Sequence, residues 1–516
     1  MTVRTILLMT LGAVLCVAAD REVTGRVVDA NTGEPIAHAH LTMRLYQAGS
    51  QATEVSILSD ADGSFKITNM PASGYQLSVQ KNGYLPANQG QPAPPPEGTT
   101  APIVLRMTAQ AALEGTVVDE QDNPMPNASI QLIRQQVVNG RRQYVSVNAS
   151  STDESGYFRM FGLPAGRYYV GIGARFNPSR GKVKGYQPQY FPKATDIAGA
   201  QAIDLKAGDN QQIQAHMSEP VPTYEVRGVV VSGSSNISVG LSRAGGSQAP
   251  SPISLGSNWD PKTHVFKFPN VPAGLYEVYA YVQDGKNQLQ ARATVAVGNA
   301  DISGIQLEPA ETKLEGTLRV ESSASAPKTM FVSLQGSRYN SGAQVDPDGK
   351  FQFGNLQPDT YRVLPQVNGA QCIGSILQGG RDVRGGLTVS ADAPPAPVEI
   401  VVTDHCGKIE ATLSVTDSAP ATGLTAVLLR KIGDEFAMEK QAGMFLRGRG
   451  TAPLFEFQGV TPGDYVLFVW PQDAQVEYAN ADYMRQFESY GQTVTVTDGA
   501  TLAVTVDKVM PNPAKN

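Results

Sequence analysis

A phenylalanine and a tyrosine ten residues apart recur in one frame five times along this chain. The copies are Phe65 and Tyr75, Phe158 and Tyr168, Phe266 and Tyr276, Phe351 and Tyr361, and Phe455 and Tyr465. Between them run Ile67 and Met70-Pro71-Ala72-Ser73-Gly74, Met160 and Leu163-Pro164-Ala165-Gly166, and Phe268 and Val271-Pro272-Ala273-Gly274. The last two copies keep Phe353 and Phe457 and turn at Pro358-Asp359 and Pro462-Gly463. Phe-x-Φ has the period of a strand, so both apolar side chains face one side. Proline then presets φ, and glycine permits the positive φ of a tight turn. Beyond it, Tyr75, Leu77 and Val79, or Tyr465, Leu467 and Val469, start a second inward-facing alternation. The frame predicts paired strands joined at a corner.

A second piece lies upstream of each frame. Val23-Thr-Gly25-Arg-Val27, Leu113-Glu-Gly115-Thr-Val117, Val226-Arg-Gly228, Leu314-Glu-Gly316-Thr-Leu318 and Ile409-Glu-Ala411-Thr-Leu413 each read as a first strand. The unit is repeated every 85–110 residues or so, the size of a sandwich of about seven strands. A chain of 516 residues exceeds one hydrophobic core, and its 51 glycines and 35 prolines suit many short strands and turns. The expected fold class is all-β: a tandem array of about five Ig-like or prealbumin-like Greek-key sandwiches. Expected boundaries are 20–109, 110–219, 220–310, 311–403 and 404–510, with a tail at 511–516. Proline-rich joints such as 91–102, 218–222 and 391–397 suggest semi-rigid spacers, and hence an elongated row of domains. The five tyrosines are expected to lock corners, as buried tyrosine hydroxyls do in Greek-key sandwiches.

Charge and targeting limit where such a chain works. A net charge of −6 argues against nucleic acid as a partner. Residues 1–19 read as a signal peptide: Arg4, an apolar run from Ile6 to Val17, and Val17-Ala18-Ala19 before Asp20. Cys16 raises lipidation as the alternative, although Leu15 precedes it where a small residue is preferred. No other segment approaches the ~18 uninterrupted apolar residues of a membrane span. The expected location is therefore secreted, periplasmic or at the outer surface. Signal removal leaves Cys372 and Cys406, an even pair that reads as a candidate disulfide in an oxidising compartment. Closing that loop stabilises by roughly 3–4 kcal/mol in the chain-entropy model.

Two stretches resemble a known family. "VTGRVVDANTGEPIAHAHLTM…SDADGSFKITNMPASGYQLSVQKNGYLP" (23–86) and "LEGTVVDEQDNPMPNASIQL…TDESGYFRMFGLPAGRYYVGI" (113–172) look like the carboxypeptidase regulatory-like domain, a transthyretin-like sandwich. The Gly-x-Val-x-Asp first strand, Asp-x-x-Gly-x-Phe and Leu-Pro-Ala-Gly-x-Tyr carry the likeness. Repeats three to five share only the Phe–Tyr frame. Through 186–209 and 462–496 the whole chain also resembles secreted bacterial proteins built only from such repeats. The resemblance implies a non-enzymatic accessory fold, in a superfamily also used for carbohydrate binding.

The residues nominate little chemistry. None of His38, His40, His216, His264 and His405 has the spacing of a zinc peptidase site, and two histidines alone hold metal weakly. "SDADGSF" (59–65), "STDESGYF" (151–158) and "DPDGKF" (346–351) evoke calcium loops. With Gly63 at the sixth position, Leu58 and Asn69 fall where an EF-hand needs carboxylates, so hairpin turns are the better reading. No catalytic residue, metal or cofactor is expected. Candidate ligand-stacking residues are Tyr186, Tyr190 and Phe191 in repeat two, and Trp470, Tyr478 and Tyr483 in repeat five. Their rings could stack on sugars or peptides; the plainer reading is cover for sandwich ends and joints. The chain therefore reads as a scaffold or interaction protein of the cell envelope, with an envelope protein or polysaccharide as partner. A carbohydrate-binding protein is the alternative.

Overall fold

The computed structural model describes residues 21–45, 53–70, 75–85, 103–174, 184–244, 254–284, 287–310, 312–321, 330–336, 340–367, 371–390, 393–414, 423–443, 454–472 and 474–512. The expected signal segment with Cys16, the linker 91–102, turn residues 71–74 and the Tyr75 side chain lie outside them. Among the described residues the elements are strands, apart from the helix Ala481–Arg485 and two short 3-10 turns. The fold is all-β and tandem.

Each repeat opens on the glycine-bearing strand: Arg21–Asp29, Ala111–Val118, Val221–Val230, Leu314–Glu321 and Gly407–Leu413. The phenylalanine strand pairs with it antiparallel in all five. On its other side, repeats one, three, four and five place their last strand parallel. A parallel neighbour requires a crossover, and most of the intervening strands form the second sheet, although Cys372–Gln378 of repeat four pairs into the first. In repeat four the second sheet holds Met330–Gln335, Asn340–Val345, Asp359–Pro365 and Leu387–Val389. Val332, Leu334, Phe351, Phe353, Tyr361 and Ile400 meet in its core.

Register explains why the phenylalanines recur. Gly25 faces Phe65 across the ladder, Gly115 faces Phe158, Gly228 faces Phe266 and Gly316 faces Phe351; Ala411 faces Phe455. A Cβ on Gly228 would stand 2.5 Å from the tip of the Phe266 ring. The bare backbone leaves room for the ring to lie flat across the neighbouring strand, a close approach that marks glycine within strands.

In repeats two to five the position six residues before the tyrosine is also fixed. Gly162, Asn270, Asn355 and Gly459 all hold positive φ, at 72°, 62°, 59° and 60°. In repeats two, three and five the ladder shifts register beside this residue. In those three it is a bulge residue, and in all four it sits in the left-handed region, which glycine and asparagine tolerate best. The Asp-x-x-Gly segments are turns: Gly63, Gly156 and Gly349 each donate their N–H to the aspartate carbonyl three residues back, at 3.0 Å. Asp62, Asp153 and Asp346 accept backbone N–H groups two residues on, at 3.0, 2.9 and 3.0 Å. These carboxylates shape the turn. Among the described residues, no three His, Cys, Asp or Glu side chains gather as a metal site.

The chain divides into two compact units. The first holds the described residues up to Thr116 with 157–168 and 202–214; the second holds 117–156, 169–201 and 215 onward. Inside the second unit a row of neighbour-only contacts does not hold. The hairpin Ala128–Val138 and Arg141–Ser151 has eleven residues in each strand, twice the usual length. Its tip meets repeats four and five: Asn139 Nδ2 donates to Gln335 O at 3.2 Å, and Ala479 N donates to Gly140 O at 3.1 Å.

Candidate functional site at the joints between repeats

Three of the repeated tyrosines occupy one geometry. Tyr168 Oη donates to Pro164 O at 2.6 Å, Tyr361 Oη to Gln357 O at 2.8 Å, and Tyr465 Oη to Thr461 O at 2.5 Å. Each spans four residues back across the Pro-Gly-type turn and is buried. Tyr276 is buried in the core of repeat three. Burial comes first among the causes that raise the Tyr276 and Tyr465 hydroxyls above their ordinary pKa. A buried hydroxyl keeps its proton and needs an acceptor.

The candidate stacking rings serve as cover for sandwich ends and joints, the plainer of their two readings, and do not form an exposed platform. Tyr190 is 7% exposed and packs with Ile133 and Ile197, and Phe191 beside it is only partly exposed. Tyr186 Oη donates to Glu120 Oε2 at 2.8 Å. Trp470 and Tyr478 are 6% and 8% exposed, within a core that includes Phe468, Met484, Phe487 and Met510. Tyr483 packs on its rim, 5.3 Å from Phe487 between centroids, and burial pushes its hydroxyl up to about 12. The strand Gly463–Pro471 is apolar on both faces. Its inner face joins the sandwich core through Tyr465, Leu467 and Val469, and its outer face carries Phe468 and Trp470. The segment around Ala481–Arg485 covers that outer face. The signal was in the sequence: an uninterrupted apolar run, Tyr465 to Trp470, marks a strand buried on both sides.

Converging ionisable groups are found where repeats meet. Arg384 of repeat four and Glu439 of repeat five have side chains 9% and 7% exposed, with Nη1 and Oε2 3.4 Å apart. Arg430 Nε approaches the same carboxylate oxygen at 3.4 Å. Arg430 also donates to Tyr465 Oη and lies 4.6 Å over its ring centroid. Thr461 Oγ1 stands 2.6 Å from Ile373 O and 3.1 Å from Glu439 Oε1. Arg384 donates to the carbonyls of Ile373, at 3.2 Å, and Gly374. The tyrosine corner of repeat five is thus wired into repeat four. Repeat two reaches the same region through Arg142, whose Nε donates to the buried Glu477 at 2.6 Å, and through the Arg141–Glu435 pair.

Cys372 and Cys406 are joined by a disulfide, with Cα atoms 6.0 Å apart. It ties the strand Cys372–Gln378 of repeat four to the entry of repeat five, one residue from the Ile373 carbonyl in the network. Beside it, His405 Nδ1 meets Asp498 Oδ2 at 2.7 Å, and this hydrogen bond raises the imidazole pKa above 6.5. Burying charge is costly unless it is paired and hydrogen-bonded. The Nη atoms of Arg384 and the Glu439 carboxylate meet that condition, and the pair fixes one repeat against the next.

No curated protein matches the chain. Among solved structures, the Bacillus anthracis TIE protein is similar over 75% of this chain and 75% of its own, at 13% identity and a TM-score of 0.17. A streptococcal ancillary pilin is similar over 56% of this chain and 99% of its own, at 11% identity and 0.18. The minor pilin of Streptococcus agalactiae covers 39% and 97%, at 15% identity and 0.22. Residues 22–107 and 112–218 each match the carboxypeptidase regulatory-like domain.

Proposed function

The chain carries two carboxypeptidase regulatory-like domains in tandem, and from that premise we propose that it is a non-enzymatic scaffold of the cell envelope. In this reading the chain is exported by its N-terminal segment and works in the periplasm or at the outer surface. The observation that carries the proposal is the joint. Its ionisable groups form closed pairs that hold repeats two, four and five in fixed relation, as a platform for partners requires. Export is supported by the Cys372–Cys406 disulfide, because such bonds persist in oxidising compartments.

Thiol labelling tests this. Protein taken from cells into excess maleimide-polyethylene glycol without reductant is predicted to show no mass shift at Cys372 or Cys406. Labelling of both thiols would contradict export. The alternative, a carbohydrate-binding protein presenting exposed aromatics, finds no support in the rings named for it, which are buried or engaged with neighbours.

A further inference from the structure

A polar cavity of about 470 Å³ lies where the tip of the repeat-two hairpin meets repeats four and five. Among its polar lining residues one functional group recurs. Asn139, Gln335, Gln441, Gln472 and Gln475 bring five carboxamides to it, and Thr425 adds a hydroxyl. Arg362 is the one formal charge on its wall. From this lining we propose that the cavity binds a neutral saccharide of one or two rings, held by its hydroxyl groups.

The chemistry argues for that class. A carboxamide offers two N–H donors and a two-lone-pair acceptor on one planar group. A sugar hydroxyl is likewise donor and acceptor, so each amide can pair with it in either sense. A wall with one charge gives no counter-ion set for a polyanion. A peptide would need apolar pockets for alternate side chains, whereas the surface this lining presents to the cavity is mainly polar. The volume falls within the ~300–1,000 Å³ typical of small-ligand sites.

Two amides are already positioned. Gln475 Oε1 accepts from Val137 N at 3.0 Å, and Asn139 Nδ2 donates to Gln335 O at 3.2 Å. Fixing first contacts in advance lowers the entropy cost of binding. The floor is the outer face of repeat five's sheet, where Thr425 pairs with Trp470 and Val427 with Gln441. The mode is hydrogen bonding to amides, distinct from ring stacking on an exposed platform.

Trp470 makes the site readable. The chain has two tryptophans, Trp259 and Trp470, so in Trp259→Phe the emission reports on the cavity wall alone. Titrating full-length Trp259→Phe with maltose, cellobiose and N,N′-diacetylchitobiose is predicted to give a saturable change with at least one. Gln441→Ala and Gln472→Ala, both at exposed positions, should each weaken that affinity about tenfold, as loss of one or two ligand hydrogen bonds does. Unchanged near-ultraviolet circular dichroism in these variants confirms that the fold is intact. No saturable change with any of the three sugars overturns the proposal. So does saturation only by digalacturonate or by tetra-alanine, or an affinity that both alanine variants leave unaltered. The scaffold reading stands apart from this outcome, since it rests on the joints and on thiol state.

Discussion

Tyr361 shows what one residue contributes to each repeat. Its hydroxyl donates to Gln357 O from a buried position, so Tyr361→Phe leaves a carbonyl without that donor and changes little else. The expected loss is about 1 kcal/mol, measured as a lower denaturant midpoint for the transition that contains repeat four. An unchanged midpoint would remove the corner from the list of stabilising contacts. At His405 the effect depends on pH. Its pKa is raised in the folded chain by Asp498, so the pair stabilises fully below the unfolded value near 6.5. That contribution disappears as pH rises through the folded pKa. The difference in melting temperature between the native chain and Asp498→Asn is therefore predicted to be present at pH 5.5 and absent at pH 9.

At the scale of elements, the glycine and phenylalanine strands explain how much was legible. Period-two alternation and the Phe–Tyr spacing are local, and the register pairing Gly316 with Phe351 follows from them. The left-handed residue at Gly162, Asn270, Asn355 and Gly459 was also present as Gly or Asn six residues before tyrosine. No single residue type marks it, because glycine and asparagine meet the same backbone requirement. The rings of Trp470 and Tyr478 left two readings open, since an aromatic next to a loop reads the same whether open or covered, and the plainer one, cover, matches their burial. Here the cover is another segment of the same repeat. The hairpin tip supplies a test of its own. Gly140 has φ of 75°, and its missing Cβ makes room for the Tyr478 ring. Gly140→Val is predicted to open the contact with repeat five, seen as faster proteolysis near Gln475 with the cores of both repeats still resistant.

For the whole molecule, the joints matter more than the count of repeats. Arg142 and Glu477 stand 335 positions apart in sequence, and no local pattern announces such a pair. The pair Arg384 and Glu439 makes the joint sensitive to charge. Glu439→Gln removes the carboxylate that Arg384 and Arg430 share, leaving Arg384 only Asp382 at 3.7 Å, and removal of one buried partner costs about 3–5 kcal/mol. That loss is predicted to fall on the junction of repeats four and five, and replacing Arg384 with methionine as well should restore part of it.

Hydrogen exchange read by mass spectrometry, on the oxidised and the reduced full chain, tests the joint most directly. Reduction of Cys372–Cys406 is predicted to speed exchange around Ile373–Ser375 and Glu439, while the core strands Met330–Gln335 and Leu424–Ile432 stay protected. Equal loss across those core strands, or no change at the joint, would contradict a scaffold whose repeats are held together there.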